Sequence, residues 1–533
     1  MSTPRTVSSL LDLRAEERGT HPFIRFNGTD LSYADFARRT IRLANAFRGL
    51  GVEPGERVGI LSGNRPEFLE AWFATTRAGA IEVPINTALR GDFLAYPIAN
   101  CGAETLVVEA QYLPAVVAVI EQLPALRSIV VLDDIDPGMR SSIESSGRQV
   151  LEFAGFRDAA GGTADDVAVR LTDISVIGYT SGTTGPAKGA MLSHSAAWYA
   201  GDDARRYRGL GEDDVFSTTL PLFHLNAQHL TTIAVLEAGA TLALEGRFSA
   251  SGFWSQLRAS GATHVNFIGA MLGILAQRPP SAEESSPHEI VAFGGPLSPE
   301  VITIGRERWN IRFLTGYGAT ESGIVTYHGT DGLPPGSFGR AIPEFEIDLI
   351  DDDGHPVPDG VPGEIVTRPS RAGSMMSGYY GMPEKTVEAW RDLWFHSGDM
   401  GRRDADGFFY FVDRKKDALR RRGENISSTE LEAALRAFPA VAEAAVVAVP
   451  SSLGEDDVKA VVRLAPGEKF DLEAFFAWAD SALPRFMVPR YVEVVEEFPR
   501  TATQRIEKYR LRDLGVTETT WDRERGSYGR ETS

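Results

Sequence analysis

Positions 179–189 of the chain read Tyr179-Thr180-Ser181-Gly182-Thr183-Thr184-Gly185-Pro186-Ala187-Lys188-Gly189. Apolar residues at 174–177 precede this string, so it is predicted to be a loop that follows a strand. Glycines let the backbone wrap an anion closely, hydroxyls donate to phosphate oxygens, and a lysine neutralises charge. Lys188 is followed by Gly189 and not by Ser or Thr, which excludes a Walker A loop. The string predicts a phosphate-binding loop, and an ordinary flexible Ser/Gly/Thr loop is the simpler alternative.

Five further motifs follow the loop along the chain: Pro221-Leu222-Phe223-His224, Gly294-Gly295-Pro296, Gly316-Tyr317-Gly318-Ala319-Thr320-Glu321, His396-Ser397-Gly398-Asp399 and Asp413-Arg414-Lys415-Lys416-Asp417. In this order they resemble the signatures of the adenylate-forming superfamily, which includes acyl-CoA synthetases, peptide-synthetase adenylation domains and luciferases. The string at 420–427, Arg-Arg-Arg-Gly-Glu-Asn-Ile-Ser, is most similar to the carnitine/crotonobetaine-type acyl-CoA ligases. The resemblance covers most of the chain.

The hydrophobic pattern predicts an α/β fold, because short apolar strands alternate with amphipathic helices. A helix is predicted at 31–51, and another is predicted to follow Asn64 as its N-cap. Residues 135–170 are expected to form a loop-heavy connection, and the charged tail from Trp521 is expected to be loose. Strands are predicted at 58–61, 81–84, 105–108, 129–132, 174–177, 445–449 and 459–464.

Two domains are predicted. Residues 1–413 are expected to form an AMP-binding body of two βαβ-type subdomains and a small β region. After about residue 413 the pattern becomes that of a smaller α+β unit, 414–533. The resemblance implies that this C-terminal domain is mobile and that it rotates about a hinge near Lys416.

The resemblance assigns nucleotide-binding roles to the motifs. Tyr317 is expected to stack on adenine, Thr320 to donate to the α-phosphate, and Glu321 to ligate Mg²⁺. Asp399 is expected to accept from the ribose hydroxyls, with Arg414 as a second ribose contact. Core packing for Tyr317 and a cap or turn role for Asp399 stay open. The expected nucleotide-binding positions are Thr180, Ser181, Gly182, Thr183, Thr184, Gly185, Lys188, Gly294, Gly295, Pro296, Gly316, Tyr317, Gly318, Thr320, Asp399, Arg414, Lys416, Arg420, Gly423 and Asn425.

His224 has two interpretations. A lone histidine after an apolar turn is often only a core residue. The resemblance implies instead that His224 gates the acyl pocket or faces the charge that develops at the adenylate. The segments that line the acyl pocket in relatives hold Asn226, Gln228, Asn266 and Met271 here. A partly polar pocket is therefore expected, and with it a substrate other than a plain fatty chain.

The basic run at 414–422 could suggest nucleic-acid binding. On an acidic chain, the resemblance favours a hinge and a phosphate-contacting surface. Arg420 and Asn425 match positions that reach the phosphate in a second pose, and Gly423 would let the backbone approach the acceptor's tunnel. A solvated face is the alternative for Arg421 and Arg422.

The chain departs from the family at its adenylation lysine. The family segment Pro-x-Thr-x-Thr-Gly-Lys is replaced here by a string from Pro499 to Arg505, with Gln504 before Arg505. Arginine keeps the charge but is bulkier and forked, so it is not equivalent to lysine at a tight site. Arg505 could do the same work with altered geometry, Lys508 could substitute for it, or the enzyme could activate an unusual oxyanion such as nitrite.

Composition excludes several classes of protein. The 533 residues include 54 Lys and Arg against 73 Asp and Glu, a net charge of −19, which argues against an open nucleic-acid-binding surface. A single cysteine, Cys101, excludes an internal disulfide and a Cys-based zinc site. The N-terminus lacks a signal-peptide pattern, and no run of about 18 apolar residues occurs, so a cytoplasmic protein without a membrane span is predicted.

The sequence thus predicts an ATP- and Mg²⁺-dependent ligase that adenylates a carboxylic acid and passes it to CoA. Its catalytic positions would be Lys188, His224, Thr320, Glu321 and Arg505, with Glu321 as the metal ligand. Nitrite adenylation for diazotisation of an aryl amine and acyl transfer to a non-CoA acceptor such as an amine are alternatives. A non-catalytic nucleotide-binding homologue is the third hypothesis.

Overall fold

A computed structural model describes residues 3, 5–163, 167–180, 186–281, 283–414, 418–451, 455–500 and 506–529. The chain divides into two compact units. The first, called the body here, comprises 1–87, 94–179 and 189–413. The second, called the C-terminal unit, comprises 88–93, 180–188 and 414–533.

The first sheet has eight strands and a parallel centre. Thr105–Val108 and Ser128–Val131 are buried at every position. The strand order is Gly378–Tyr379, Lys188–Ser193, Ile174–Thr180, Ile81–Pro84, Arg57–Leu61, Thr105–Val108, Ser128–Val131 and Gln149–Glu152. Parallel strands that are covered on both faces need such continuous apolar runs, which is why the sequence pattern located them.

The second sheet also has eight strands, with antiparallel pairs at both edges. Its order is His328–Gly329, Ile311–Thr315, Ile290–Gly295, His264–Ile268, Val215–Thr218, Thr241–Leu244, Pro22–Phe26 and Thr29–Ser32. The register pairs Asn266 with Phe293 and Phe293 with Leu314. Residues opposite each other in neighbouring strands share a face, so these three side chains lie on one face of the sheet.

Helices connect the strands of the two sheets. Those between residues 7 and 304 are Val7–Arg18, Tyr33–Gly49, Pro66–Arg77, Gly91–Cys101, Leu113–Val117, Pro137–Ser145, Phe153–Asp158, His194–Arg208, Leu225–Ala227, Ala234–Ala238, Phe253–Ser260, Gly269–Ala276 and Pro299–Ile304. Short 3₁₀ turns lie at Ala110–Tyr112 and Ile120–Gln122, and π-helical turns at Gln228–Ile233 and Gly305–Trp309. Among the described residues, no helix combines the length and apolarity that a membrane span requires.

Two local predictions are wrong. Asn64 is not an N-cap, because the helix begins at Pro66, and the Asn64 side-chain amide donates instead to the carbonyl oxygens of Leu220 and Glu245, both at 2.9 Å. The expected loop-heavy connection contains the helix Pro137–Ser145, a strand and a further helix, which complete the edge of the first sheet.

A third, antiparallel sheet completes the body. Its order is Ser337–Gly339, Phe409–Arg414, Trp394–Arg403, Gly363–Pro369 and Phe345–Ile350, and Trp390–Arg391 pairs with Trp394–Arg403. The hairpin of Gly318–Ala319 with Gly323–Ile324 and the helix Pro383–Ala389 lie nearby in the sequence. The strand Trp394–Arg403 carries the predicted ribose motif at 396–399.

The C-terminal unit is α+β. Its sheet has the order Val441–Pro450, Asp456–Leu464, Tyr491–Val494, Trp521–Asp522 and Ser527–Tyr528, with a separate hairpin of Ala418–Arg421 and Glu424–Ser427. Its helices after residue 427 are Ser428–Leu435, Leu472–Ala482 and Lys508–Leu514. The expectation of a loose tail from Trp521 is wrong through residue 528, because two of its segments extend the sheet and Asp522 is buried.

We predict that Asp522→Ala destabilises the C-terminal unit. The Arg490 guanidinium donates to both Asp522 carboxylate oxygens at 3.2 and 3.0 Å, so removal of the buried carboxylate breaks two charge-assisted hydrogen bonds and leaves the half-buried cation with Asp457 and Glu524. A loss of about 2–4 kcal/mol in the free energy of unfolding is expected in urea unfolding followed by tryptophan fluorescence. The control is Arg525→Ala, which removes an exposed charge from the same hairpin. Equal effects of the two changes would contradict this role of Asp522.

Candidate active site

The structure describes the two ends of the predicted phosphate-binding loop. Thr180 ends one strand and Lys188 begins the next. The Thr180 hydroxyl donates to the Lys188 backbone carbonyl at 3.4 Å, which brings the ends of the loop together. The predicted contacts Ser181, Gly182, Thr183, Thr184 and Gly185 lie outside the described residues.

Sequence reasoning missed Gly178, two residues before the end of the strand. A Cβ atom at Gly178 would lie 3.2 Å from Leu225 Cδ1 and 3.4 Å from Thr320 Cγ2. The missing side chain lets three predicted motifs approach one another: the end of the strand, the segment after His224 and the 316–321 motif. The available signal was a glycine inside an apolar strand, which often marks close approach of another chain segment.

Gly316 and Gly318 are glycines because backbone approaches them closely. A Cβ atom at Gly318 would collide with the Gly323 carbonyl across the short hairpin. A Cβ atom at Gly316 would collide with the Thr326 carbonyl oxygen. The tight turn therefore fixes the direction in which Tyr317, which lies between them, leaves the backbone.

Tyr317 and Asp399 are brought together. The Tyr317 hydroxyl donates to Asp399 Oδ2 at 2.8 Å, and the Tyr317 N–H donates to the Thr326 hydroxyl, also at 2.8 Å. The Tyr317 ring stacks on Phe338, with ring centroids 4.7 Å apart and planes inclined by 29°. A flat aromatic next to a carboxylate suits a purine nucleoside, since the ring matches the base and the carboxylate accepts from ribose hydroxyls.

The backbone around Asp399 is held by the third sheet. Gly398 has φ of +73°, a conformation that favours glycine, and its N–H donates to Glu364 Oε1 at 3.2 Å. The Ser397 hydroxyl accepts from the Asp399 N–H at 3.1 Å and donates to the Ile365 carbonyl at 2.6 Å. His396 lies 3.4 Å from Glu364 Oε2 and is buried. Asp399 is therefore presented by a turn whose polar groups are bonded to the neighbouring strand.

Tyr379 is a second residue that sequence reasoning missed. Its hydroxyl donates to Glu321 Oε1 at 2.9 Å, and both residues are buried. Burial, and then the charge of Glu321, raise the pKa of Tyr379 above its ordinary value, so the hydroxyl stays a donor. Tyr379 orients the candidate magnesium ligand although it lies 58 residues away in the sequence.

His224 is half-buried and caps the short helix Leu225–Ala227. Its backbone carbonyl accepts from the N–H groups of Ala227 and Gln228 at 3.0 and 3.3 Å, and its ring lies 4.7 Å from that of Phe223. The geometry allows either interpretation of His224. The helix cap fixes the backbone from which the imidazole projects.

Three of the expected acyl-pocket residues make polar contacts, and the fourth, Met271, packs in the hydrophobic core. The Asn266 side-chain amide donates to the Thr231 hydroxyl at 2.9 Å and to Asn226 Oδ1 at 3.4 Å, so a polar cluster lies behind the His224 segment. Gln228 is fully buried and contacts Glu82. Met271 belongs to the large hydrophobic core of the body, where it is 4% exposed.

The predicted adenine loop ends a strand of the second sheet. Gly294 and Gly295 complete Ile290–Gly295, and the peptide bond to Pro296 is cis. A Cβ atom at Gly294 would collide with the Phe267 carbonyl of the neighbouring strand. Glycine is therefore required at this carboxyl end of the sheet, where ligands of open α/β folds bind.

In the C-terminal unit, Arg420 and Asn425 are paired across the hairpin, whose turn residues Arg422 and Gly423 both have positive φ. The Arg420 N–H donates to Asp456 Oδ2 at 3.0 Å, and the Gly423 N–H donates to Glu455 Oε2 at 3.2 Å. The hairpin therefore keeps three of the predicted phosphate- or acceptor-contacting positions together. The positions Lys416 and Arg505 lie outside the described residues, and of Arg414 the structure describes only the backbone.

The structure changes the interpretation of two basic residues, Arg421 and Lys508. Arg421 is not on a solvated face, because it is buried and lies 3.2 Å from Asp457, and its guanidinium donates to the Val488 carbonyl at 2.6 Å. Lys508, the proposed substitute for Arg505, forms an ion pair with Glu432 at 2.7 Å and donates to the Ser428 hydroxyl. In this structure Lys508 therefore serves the packing of its own unit.

A cavity in the described part of the body has a volume of about 970 Å³. It opens at the carboxyl ends of strands from both large sheets and adjoins the His224 segment through Pro221 and Phe223. Its lining carries both signs of charge: Asp30, Arg39, Arg65, Glu67, Glu109 and Arg247. Its size suits an extended small molecule.

Comparison with known proteins identifies the family. Residues 11–380 match the family described as AMP-binding enzyme, and residues 430–505 match the C-terminal domain of AMP-binding enzymes. The chain belongs to the AMP-binding enzyme family. This membership confirms the predicted resemblance to adenylate-forming enzymes, the α/β fold and the assignment as an AMP-forming ligase of the acyl-CoA synthetase type.

Three similar proteins illustrate the range of this AMP-binding family. A crotonobetaine/carnitine–CoA ligase of Escherichia coli is 34% identical over 490 residues, which cover 90% of this chain and 93% of that protein. The amide bond synthetase McbA from Marinactinospora thermotolerans matches with a TM-score of 0.81 at 26% identity, covering 95% of this chain and 99% of that chain. The anthranilate CoA ligase AuaEII, in complex with anthranoyl-AMP, matches with a TM-score of 0.72 at 25% identity, covering 96% and 98%.

We predict that Tyr379→Phe weakens the affinity for magnesium more than it lowers the stability of the fold. Loss of the hydroxyl leaves Glu321 without the donor that orients it, and such supporting groups typically alter metal affinity 10- to 100-fold. The Mg²⁺ concentration for half-maximal pyrophosphate release is expected to rise about tenfold. The matched control is Tyr380→Phe, because the hydroxyl of Tyr380 donates to the Cys101 carbonyl at 3.4 Å and not to Glu321. A similar rise in both variants would contradict a specific role for Tyr379.

Proposed function

We propose that the enzyme activates a carboxylic acid with Mg·ATP to an acyl-adenylate, releases pyrophosphate, and transfers the acyl group to CoA. The observation that carries this proposal is the hydrogen bond between Tyr317 and Asp399 beside the buried Glu321–Tyr379 pair. This arrangement aligns groups suited to a base, a ribose and a phosphate-bound cation. Two of the three similar proteins described above are named as CoA ligases.

The residues present fit the proposed ligands. Tyr317 and Asp399 would hold the nucleoside of ATP, with Gly294, Gly295 and Pro296 along the base and Arg414 at the ribose. Magnesium usually binds through one or two carboxylates together with phosphate oxygens, so a single buried carboxylate at Glu321 is sufficient. When bound, Mg²⁺ would neutralise phosphate charge and hold the phosphates in line for displacement.

The first half-reaction is an in-line displacement at the α-phosphorus. A carboxylate oxygen of the acid forms a bond to phosphorus, while the bond to the bridging oxygen breaks and its electron pair leaves with pyrophosphate. Thr320, Lys188 and Arg505 would oppose the negative charge that develops, with the hydroxyls of the 180–185 loop as further donors. Positioning and electrostatics therefore supply most of the catalysis.

The second half-reaction transfers the acyl group. The thiol sulfur of CoA attacks the acyl carbonyl carbon, the thiol proton passes to solvent, and AMP leaves with the electron pair of the carbon–oxygen bond. Rotation of the C-terminal unit about Lys416 would exchange Arg505 for the hairpin that carries Arg420, Gly423 and Asn425. Such hinge motions let one site serve two reactions with incompatible geometries.

The polar cluster behind His224 supports a class of substrate. Asn266 Oδ1 is buried and has no hydrogen-bond partner among the described residues. A buried acceptor without a donor is unfavourable, so a ligand that supplies an N–H or O–H group would be stabilised there. An acid that carries an amino or hydroxyl group fits this environment better than a plain fatty acid does.

A second candidate function keeps the adenylation step and changes the acceptor or the oxyanion. The similarity to an amide bond synthetase favours an amine acceptor. Arg505 at the usual lysine position favours a small forked oxyanion such as nitrite, which would be adenylated for diazotisation of an aryl amine. A non-catalytic homologue is the weakest alternative, since Glu321, Asp399 and Arg414 are all retained.

We predict CoA-dependent pyrophosphate release with an acid that carries a hydrogen-bond donor. The measurement covers fatty, aryl and short polar acids and nitrite, each with and without CoA and with and without an aryl amine. Asp399→Ala serves as the matched blank, since it removes the ribose acceptor. Turnover with nitrite and an amine, and none with a carboxylate and CoA, would refute the leading proposal. ATP binding without pyrophosphate release in every arm would favour the non-catalytic homologue.

We predict that Arg505→Lys keeps activity within about threefold of the parent enzyme. Lysine keeps the positive charge and is the residue that the family usually has at this position. Arg505→Ala is expected to lower kcat roughly 10²–10³-fold, as loss of an oxyanion-stabilising group typically does. Single-turnover adenylation with the best acid measures both. A large loss in Arg505→Lys would show that the site has been rebuilt around the guanidinium.

A further inference from the structure

A buried carboxyl group that the proposed mechanism does not use lies in the centre of the first sheet. Glu82 belongs to the strand Ile81–Pro84, which lies between two other strands, and its side chain is fully buried. No ion pair joins Glu82 to any residue in the described ranges. In those ranges the Glu82 side chain has one hydrogen-bonding partner, Gln228. Gln228 is equally buried and begins the π-helical turn Gln228–Ile233.

The hydrogen bonds around this pair are incomplete in a complementary way. Gln228 Nε2 donates to Glu82 Oε1 at 2.9 Å and to the Leu222 carbonyl at 2.8 Å, which uses both of its hydrogens. Glu82 Oε2 and Gln228 Oε1 are both buried, and neither has a hydrogen-bond partner in the described part of the chain. Two acceptors are thus left where buried polar atoms are nearly always paired. A proton on Glu82 Oε2 would turn that atom into a donor, and Gln228 Oε1 could then accept the hydrogen bond.

We propose that Glu82 is held as a neutral carboxylic acid that donates from Oε2 to Gln228 Oε1, and that this acid–amide pair positions the His224 segment. The resulting ring has two hydrogen bonds, one donated by each partner. It has the same shape as the pair that two carboxamides form.

The electrostatic surroundings agree with a neutral acid. Burial raises the pKa of Glu82 well above its ordinary value, opposed only by the hydrogen bond from Gln228. His229, the next residue after Gln228, is also buried, and burial lowers its pKa to about 3, so it stays neutral at ordinary pH. Among the described residues, no charged group contributes to the shift at Glu82.

The pair acts on a short piece of chain that contains His224. Gln228 contacts the Leu222 carbonyl on one side of His224, and its own N–H donates to the His224 carbonyl at 3.3 Å. Asn64 holds the same piece from the other direction, since Asn64 Oδ1 accepts from the Leu222 N–H at 2.8 Å. The 222–228 segment is therefore fixed to the first sheet at both ends.

The contacts of this segment reach the nucleotide motif. Leu225, the residue after His224, approaches Gly178, as does Thr320. A displaced 222–228 segment would therefore move both His224 and a neighbour of Thr320. Glu82 and Gln228 are positioning residues in this view, and that role rests on the proposed adenylation of an acid at a site that includes the His224 segment.

The protonation state is tested by unfolding of the full chain in urea between pH 5 and pH 8, with Glu82→Gln beside the parent. Glu82 would be neutral when folded and ionised when unfolded above about pH 4.5, so folding takes up one proton. The contribution of neutral Glu82 to the parent's free energy of unfolding is then fully present below about pH 4.5, and it is lost as the pH rises toward the elevated pKa of the folded state. The ratio of the parent's unfolding constant to that of Glu82→Gln is expected to rise about tenfold per pH unit.

Glu53→Gln is the control for this slope, because it removes an exposed carboxylate from the loop before Arg57–Leu61. Its ratio to the parent is expected to show no comparable trend. A pH-independent ratio for Glu82→Gln would overturn the neutral acid. If the urea transitions have several steps, hydrogen exchange of the backbone amides of Ile81, Glu82 and Val83 measures the same ratio locally.

The positioning role is tested by ATP–pyrophosphate exchange with the best acid. Glu82→Gln is expected to keep kcat and KM within about threefold, because a carboxamide pair replaces the acid–amide pair. Glu82→Leu and Gln228→Leu are each expected to raise KM for the acid at least tenfold, with KM for ATP nearly unchanged. If KM for the acid and KM for ATP change equally in the leucine variants, or if neither changes, Glu82 and Gln228 have no positioning role. If no acid supports exchange, the proposed function fails, whereas the pH slope still decides the protonation state.

Discussion

The proposed nucleotide side of the site depends on the hydrogen bond between Tyr317 and Asp399, because this bond joins two sheets of the body. Tyr317 follows the second sheet, and Asp399 is carried by the third. A hydroxyl that donates to a carboxylate forms a strong bond, and Phe338 under the Tyr317 ring restricts its rotation. The positions of Thr320 and Glu321 follow, since the tight Gly316–Gly318 backbone allows little other movement.

The sequence indicated candidate site residues where the chemistry is local. Loops of glycine, hydroxyl and carboxylate residues carry their own signature, and buried parallel strands reveal themselves as apolar runs. The partners of those residues were not predictable, because Tyr379 and Gly178 act through contacts with chain that is remote in sequence. Nothing in a single tyrosine or glycine announces which carboxylate or side chain it will meet.

The wrong local predictions have the same cause. Asparagine is a favoured helix cap, but the Asn64 Oδ1 atom, which a cap would use, accepts instead from the Leu222 N–H at 2.8 Å. The tail from Trp521 looks too polar to fold by itself. It is ordered through residue 528 because Arg490 supplies a bidentate partner for Asp522 and the neighbouring strand supplies backbone hydrogen bonds. Tertiary contacts, which local propensity cannot register, decided both cases.

Net charge was a poor guide to local electrostatics. The chain carries −19 overall, yet basic residues of the C-terminal unit are paired with specific carboxylates, as Arg421 is with Asp457 and Lys508 with Glu432. Arg421, a member of the basic run, is thus already paired within its own unit. The basic run therefore has to be interpreted residue by residue.

The acyl side of the site is built differently from these ion pairs. Half-buried Asn226 joins buried Thr231 and Asn266 in one polar cluster, and buried Glu82 and Gln228 form another. An ionised carboxylate at Glu82 would repel the substrate carboxylate through a medium of low dielectric constant, where charge–charge interactions are strongest. A neutral acid gives the same directional hydrogen bonds without that repulsion. Rigidity on this side is thus obtained from uncharged hydrogen bonds, and positive charge can be reserved for the phosphates.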